Sequence, residues 1–163
     1  MNFLNIKTDN EIEKIASLAS DIWHEYWPKI LSPEQIDYMI AKFQSFKAIK
    51  KQIEDEKYIY TILEENNKQI GYFGLCPKEE YLFLSKLYIK KEYRGQGKGK
   101  KAFEEITKIA KKYNKLSIRL TVNKYNSNTI KSYKKWGFTI TNDVITDIGN
   151  NFVMDDYIME YKL

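Results

Sequence analysis

Where the apolar stretch Leu84–Ile89 gives out, the chain runs Arg94-Gly-Gln-Gly-Lys-Gly-Lys-Lys101. Three glycines at 95, 97 and 99 allow positive φ and let backbone amides come close to a ligand. Ala102, Phe103, Ile106, Ile109 and Ala110 then recur at helical spacing, so the glycines sit where a strand becomes a helix. The first turn of a helix carries unpaired N–H groups and the positive end of the dipole. Arg94, Lys98, Lys100 and Lys101 add charge, and the segment is suited to phosphate. It is not the Walker pattern GxxxxGK[ST]. Nor is it GxGxxG, because Lys100 stands at the third glycine position and no βαβ unit opens the chain.

A second informative stretch, Leu120 to Phe138, leaves a strand at Val122 and enters a helix near Asn126. Asn126 suits a helix N-cap. Tyr133 lies seven residues on, two turns along the same face, and Gly137 offers a left-handed stop before Phe138.

The rest of the chain frames these two stretches. Phe3–Lys7 alternates as a first strand. Thr8-Asp-Asn-Glu11 is a capping box that starts a helix burying Ile12, Ile15, Ala16, Ala19, Trp23 and Tyr26 and ending at Pro28. A second box, Ser32-Pro-Glu-Gln35, has proline at its first helical position and predicts burial of Ile36, Met39, Ile40 and Phe43. Ser45 starts a third helix reaching Ile53. Tyr58–Leu63 and Gln69–Leu75 form a hairpin, with Gly71 and Gly74 marking a bulge or close approach. Leu116–Val122 is a strand, Asn126–Lys135 a helix, and Phe138–Ile145 with Phe152–Tyr161 a closing hairpin around Gly149-Asn-Asn151. The predicted order is β-ααα-βββ-α-β-α-ββ, one domain over 1–163.

The chain is 163 residues long, 43% hydrophobic and 15% aromatic, enough for a core. No apolar run approaches the roughly 20 residues of a membrane span, and the first residues carry no signal-peptide pattern. The lone Cys76 makes no internal disulfide, which fits a cytoplasmic protein. The net charge of +5 comes from scattered lysines, with arginine only at 94 and 119. Base readout and bidentate phosphate grip favour arginine, so nucleic acid is not expected as a partner. No metal-ligand spacing is present.

Arg94-x-x-Gly97-x-Gly99 resembles the coenzyme A pyrophosphate loop, Q/R-x-x-G-x-G/A, of the GCN5-related N-acetyltransferases (GNAT). Asn126, Tyr133, Gly137 and Phe138 resemble the same family's later motif N-x-x-A-x-x-x-Y-x-x-x-G-F, with Thr129 in place of alanine. The resemblance implies an α/β fold with a mixed, mostly antiparallel twisted sheet of about seven strands flanked by helices. It implies acetyl transfer from acetyl-CoA to an amine. Carried over by position, Leu87, Tyr88 and Ile89 would bind pantetheine, with the Ile89 amide as oxyanion donor. Arg94, Gly95, Gln96, Gly97, Lys98, Gly99 and Lys100 would hold the pyrophosphate. Asn126 would meet the pantetheine arm, and Tyr133 would be the general acid.

Many relatives place a glutamate on the strand before the loop, where this chain has Ser85 and Lys86. Glu25, Glu79, Glu80 and His24 remain as candidate bases, or water carries the proton away. The stretch Trp23-His24-Glu25-Tyr26-Trp27 resembles the wall of the acceptor site. With Ser32-Pro-Glu and the closing Phe152–Leu163, it is similar to a bacterial branch that includes polyamine acetyltransferases. For a polycation, Glu25, Asp155, Asp156 and Glu160 would supply carboxylates. The resemblance also leaves open a protein lysine or N-terminal acetyltransferase and a non-catalytic coenzyme A-binding regulatory module. A small-molecule amine is the expected partner, and the protein a monomer or homodimer.

Overall fold

The computed structural model describes residues 1–163. Seven strands are hydrogen-bonded in the order β1-β2-β3-β4-β5-β7-β6, and the chain divides into two compact units.

The first unit comprises Met1–Cys76 and Lys86–Phe103. It begins with β1 (Asn2–Asn5), shorter than the predicted Phe3–Lys7 because Lys7 and Thr8 are taken up by the cap of the following helix. In α1 (Asp9–Tyr26) the Thr8 hydroxyl accepts the Glu11 N–H while the Glu11 carboxylate accepts the Thr8 N–H, completing the predicted capping box. Ile12, Ile15, Leu18, Ala19, Ile22 and Trp23 form its buried stripe, and a 3-10 turn over Trp27–Lys29 takes in Pro28. Ser32 caps α2 (Pro33–Met39) by accepting the Gln35 N–H.

At this point the pitch changes. Ile40–Gln44 is a π-helical turn, and the extra residue per turn rotates the face presented to the core. Ile40 and Phe43, predicted buried, are only half-buried, while Gln44 is 2% exposed. The Gln44 amide oxygen accepts the Tyr72 hydroxyl at 3.1 Å. Ser45 then caps α3 (Phe46–Asp55) through the Ala48 N–H. β2 (Ile59–Glu65) and β3 (Lys68–Pro77) pair antiparallel, joined by Asn66 and Asn67 with φ of 50° and 60°, the left-handed pair a tight hairpin needs. Tyr60, Ile62, Leu63, Ile70, Tyr72, Phe73 and Leu75 are all buried and form the β2–β3 part of this unit's core.

The second unit comprises Pro77–Ser85 and Glu104–Leu163. β4 (Tyr81–Ile89) begins three residues before the predicted Leu84, and its first residues pair in parallel with β5 (Ser117–Asn123). β7 (Phe152–Lys162) pairs antiparallel with β5 on one side and β6 (Thr139–Gly149) on the other. The sheet is therefore mixed and mostly antiparallel. α4 (Lys98–Lys112) starts four residues before the predicted Ala102, because its first turn is lysine and glycine and carries no apolar signal. α5 spans Ser127–Lys135. No helix is long and apolar enough to cross a membrane.

Candidate active site

In the first unit, the end of β4 runs into the glycine loop. Gly71 lies so close to β4 that a Cβ there would collide with the Tyr88 carbonyl oxygen; this is the close approach the sequence signalled. Leu87, Tyr88 and Ile89 are all half-buried. A 3-10 turn at Lys91–Tyr93 leads to Arg94. Gly95 and Gly97 each have φ of +74°, and a Cβ built on either meets nothing within 4 Å. The loop is thus a left-handed, open cradle ahead of the α4 N-terminus. Its first helical bond runs from the Lys101 N–H to the Gly97 carbonyl at 3.1 Å, which leaves the amides before it directed along the dipole. These features fit a pyrophosphate.

The charged residues of the loop divide into engaged and free. Arg94 donates its Nε to the Ile89 carbonyl at 2.7 Å and reaches both carboxylate oxygens of Glu25. Lys98 is ion-paired to Glu65 on β2, and this pair lowers the Glu65 pKa. Gln96 donates to the Glu92 carbonyl at 2.7 Å. Lys100 and Lys101 are exposed. Sequence spacing showed none of these partners, since Glu65 and Glu25 lie 33 and 69 residues away.

The predicted acceptor wall is an aromatic cluster within the same unit. Trp23 lies 5.5 Å from Trp27 and 5.6 Å from Tyr88, whose ring in turn lies 5.5 Å from Tyr72. His24 instead bridges α1 to α2. Its Nε2 is 2.8 Å from Asp37 Oδ1 and its Nδ1 is 2.9 Å from the Ser20 carbonyl. The hydrogen bond to Asp37, followed by that to Ser20, raises its pKa. As a proton acceptor the imidazole is therefore already committed.

Lys86 is the residue the sequence undervalued. It continues the buried row Leu82, Leu84 of β4 and is 5% exposed. Its Nζ donates to the Phe43 carbonyl at 2.7 Å and to Gln52 Oε1 at 2.8 Å, and it also touches the Tyr60 hydroxyl. Burial pulls its pKa down to about 7. The period-two alternation of β4 pointed to a buried site here. The lysine's charge concealed it.

In the second unit, Asn126 takes the N-cap position of α5, with the Ile130 N–H bonded to its carbonyl at 3.0 Å. Its side chain makes no capping bond and is 6% exposed. Tyr133 is 7% exposed, edge-on to Trp136 and tilted against Phe138, both at 5.4 Å. Gly137 has φ of +100°, the predicted left-handed stop. Glu79 and Glu80 are exposed in the turn ahead of β4, at the end of that strand remote from Ile89. Glu160 accepts from Ser117 at 2.6 Å and from Arg119 at 2.9 Å, and these bonds lower its pKa.

The model of the acetyltransferase (GNAT) family matches residues 12–138. Spermidine N(1)-acetyltransferase of Thermoplasma acidophilum is 29% identical over 149 residues, which cover 89% of this chain and 90% of that protein. Among solved structures, the PaiA N-acetyltransferase of T. acidophilum in complex with coenzyme A is similar with a TM-score of 0.82 and 27% identity, over 100% of both chains. A GCN5-related N-acetyltransferase of Rhodopseudomonas palustris has the same fold, with a TM-score of 0.82 at 14% identity over 99% of this chain and 95% of that one. With the glycine cradle, the strand before it and the Asn126–Tyr133 helix in family order, the chain belongs to the GNAT family and is an acetyl-CoA-dependent N-acetyltransferase.

Proposed function

We propose that the acceptor is the primary amine of a small cationic molecule, a polyamine such as spermidine, and that the amine attacks the thioester directly. The observation that carries the acceptor is the match to a spermidine N(1)-acetyltransferase along nearly the whole of both chains. The aromatic cluster of Trp23, Trp27 and Tyr88 supports it, since ring faces favour alkylammonium groups.

In this reading the Ile89 amide, with Leu87 and Tyr88 beside it, polarises the thioester carbonyl. Gly95, Gln96, Gly97, Lys98, Gly99 and Lys100 take the pyrophosphate, while Arg94 fixes the loop. Asn126 meets the pantetheine arm. Tyr133 donates the proton that the departing thiolate needs, as a phenol protonated at neutral pH can. The protein acts as one acetyltransferase domain over 1–163, as a monomer or homodimer, in the cytoplasm.

The test is a thiol-release assay with acetyl-CoA and a panel of spermidine, a linear diamine, a lysine peptide and a free peptide N-terminus. Spermidine or the diamine should have the highest kcat/KM. Faster turnover of either peptide would reverse the assignment.

A further inference from the structure

Two buried polar groups of the first unit meet at the π turn, on consecutive residues. At Phe43 the main-chain oxygen accepts from Lys86 Nζ at 2.7 Å and from the Gln52 amide at 3.4 Å. Lys86 also donates to Gln52 Oε1 at 2.8 Å and touches the Tyr60 hydroxyl, so its ammonium group has an acceptor for each of its three N–H bonds. At Gln44 the side-chain oxygen accepts the Tyr72 hydroxyl at 3.1 Å. Gln44 is 2% exposed and Tyr72 is fully buried. Lys86 thus pins the turn, and the pinned turn holds Tyr72.

The bond between Gln44 and Tyr72 is not needed to fill the core. Leucine and phenylalanine would occupy the same two places with no polar atom to satisfy, and replacing both partners of a buried bond together is close to neutral. What the bond adds is direction. An apolar ring is held only by the shape of its neighbours, whereas the hydroxyl must meet one oxygen along one line. The Tyr72 ring lies 5.5 Å from that of Tyr88, Tyr88 lies 5.6 Å from Trp23, and Trp23 lies 5.5 Å from Trp27. Tyr72 is the fully buried end of this ladder, and Tyr88 is half-buried. The turn itself points the same way. π turns are rare and recur at functional sites, and this one exchanges Phe43 for Gln44 in the core.

We propose that Gln44 is a positioning residue for the acceptor: through Tyr72 it sets the Tyr88 ring, and with it the aromatic face that receives the alkylammonium group. This rests on the reading of the acceptor as a small cationic amine held by the Trp23, Trp27 and Tyr88 rings. Gln44 itself touches no substrate. The attraction between a cation and a ring acts only within about 6 Å of the ring centre, which makes the acceptor sensitive to where Tyr88 stands. The main chain at the end of β4 is held separately, by the Lys90 N–H donating to the Ile70 carbonyl at 2.8 Å. Cofactor contacts through the Leu87–Ile89 backbone therefore do not depend on Gln44.

Gln44→Leu, Tyr72→Phe and the double variant test this. In each single variant KM for spermidine should rise about three- to tenfold, the weight of one ammonium–ring contact, at unchanged kcat. Acetyl-CoA affinity by calorimetry should not change. Tm should fall in the single variants, each of which strands one buried polar partner, and return toward wild type in the double variant. KM should stay raised there, so that stability and acceptor binding part, which a purely structural role does not allow. With 5-fluorotryptophan incorporated, the Trp23 and Trp27 fluorine signals should shift in all three variants, while that of Trp136, in the second unit, stays in place. A KM that recovers with Tm in the double variant, or that is unmoved in all three, would overturn the proposal. If Gln44→Leu does not fold, the other two variants decide by the same readouts. If the wild type prefers a peptide amine, the polyamine reading falls, and the same comparison is made with that peptide, where an unmoved KM overturns the positioning role as well.

Discussion

Arg94, the first residue of the glycine loop, holds Glu25 of α1 by two guanidinium bonds, NH2 at 2.7 Å and NH1 at 3.3 Å. It also donates to the Ile89 carbonyl and stacks its guanidinium 4.8 Å from the centre of the Tyr26 ring. One planar fork thus fixes three things at once: the end of β4, the loop and the helix that carries the aromatic wall. The arginine of this motif works here as a brace for the cradle, and Glu25 is its anchor rather than a free base.

The brace is measurable. Glu25→Gln keeps the shape and removes the charge, and because both side chains are about a third exposed the stability loss should stay below about 1 kcal/mol. Acetyl-CoA should bind several-fold more weakly. In a double-mutant cycle with Arg94→Met the two losses should not add. Additive losses would show that Arg94 acts on the cofactor independently of Glu25.

Gly97→Val should fold and lose acetyl-CoA binding. At φ of +74° a β-branched residue costs about 1–2 kcal/mol, while the Cβ points into open space and meets no protein atom. The damage falls on the ligand. Calorimetry on the folded variant decides, and an unchanged affinity would remove the pyrophosphate assignment.

Tyr133→Phe keeps the ring contacts with Trp136 and Phe138, so Tm should move little. A proton donor to the leaving thiolate acts chiefly in the transition state. Its loss should lower kcat and kcat/KM together, by about 100-fold, with KM nearly constant. A folded variant with wild-type kcat would make Tyr133 a packing residue.

Lys86 makes stability depend on pH. Its pKa is depressed to about 7 in the folded state from 10.5. Between those values the unfolded chain binds more protons, so stability rises with pH across that window and is lost as pH falls toward 7. The whole change is on the order of 4–5 kcal/mol. Burial holds the Tyr60 and Tyr72 phenols protonated, which works the other way above pH 10, so urea melts from pH 7 to 9.5 are the clean range. Lys86→Met should flatten the profile. A wild-type stability independent of pH over that range would show that the lysine stays charged.

Local chemistry made most of the frame legible. Thr8 with Glu11, Ser32 with Gln35, and Ser45 each announce a helix start through one hydroxyl and one amide, and all three caps form. Gly95, Gly97 and Gly137 likewise mark backbone at positive φ, and Gly71 marks a close approach to β4. The π turn was invisible because apolar spacing presumes 3.6 residues per turn. Ile40 and Phe43 fit that spacing, and the chain buries Gln44 instead. Charge misled in a different way. Lys86 reads as a surface residue by type, and only its buried partners reveal otherwise. Contacts such as Glu25 with Arg94 join distant segments and have no spacing to read.

The Lys86 contact with residue 43 has a consequence for variation. Phe43 lies at the last turn before Ser45 breaks the helix, where carbonyls lack a helical N–H. Lys86 and the Gln52 amide close that end by bonding the Phe43 main-chain oxygen. The acceptor is an atom every amino acid carries, so the identity of residue 43 is free to drift while the bond persists. What must be inherited is a count: the number of residues between Ser32 and Ser45. A single deletion there would withdraw the oxygen from Lys86 while leaving each of its side-chain partners in the sequence.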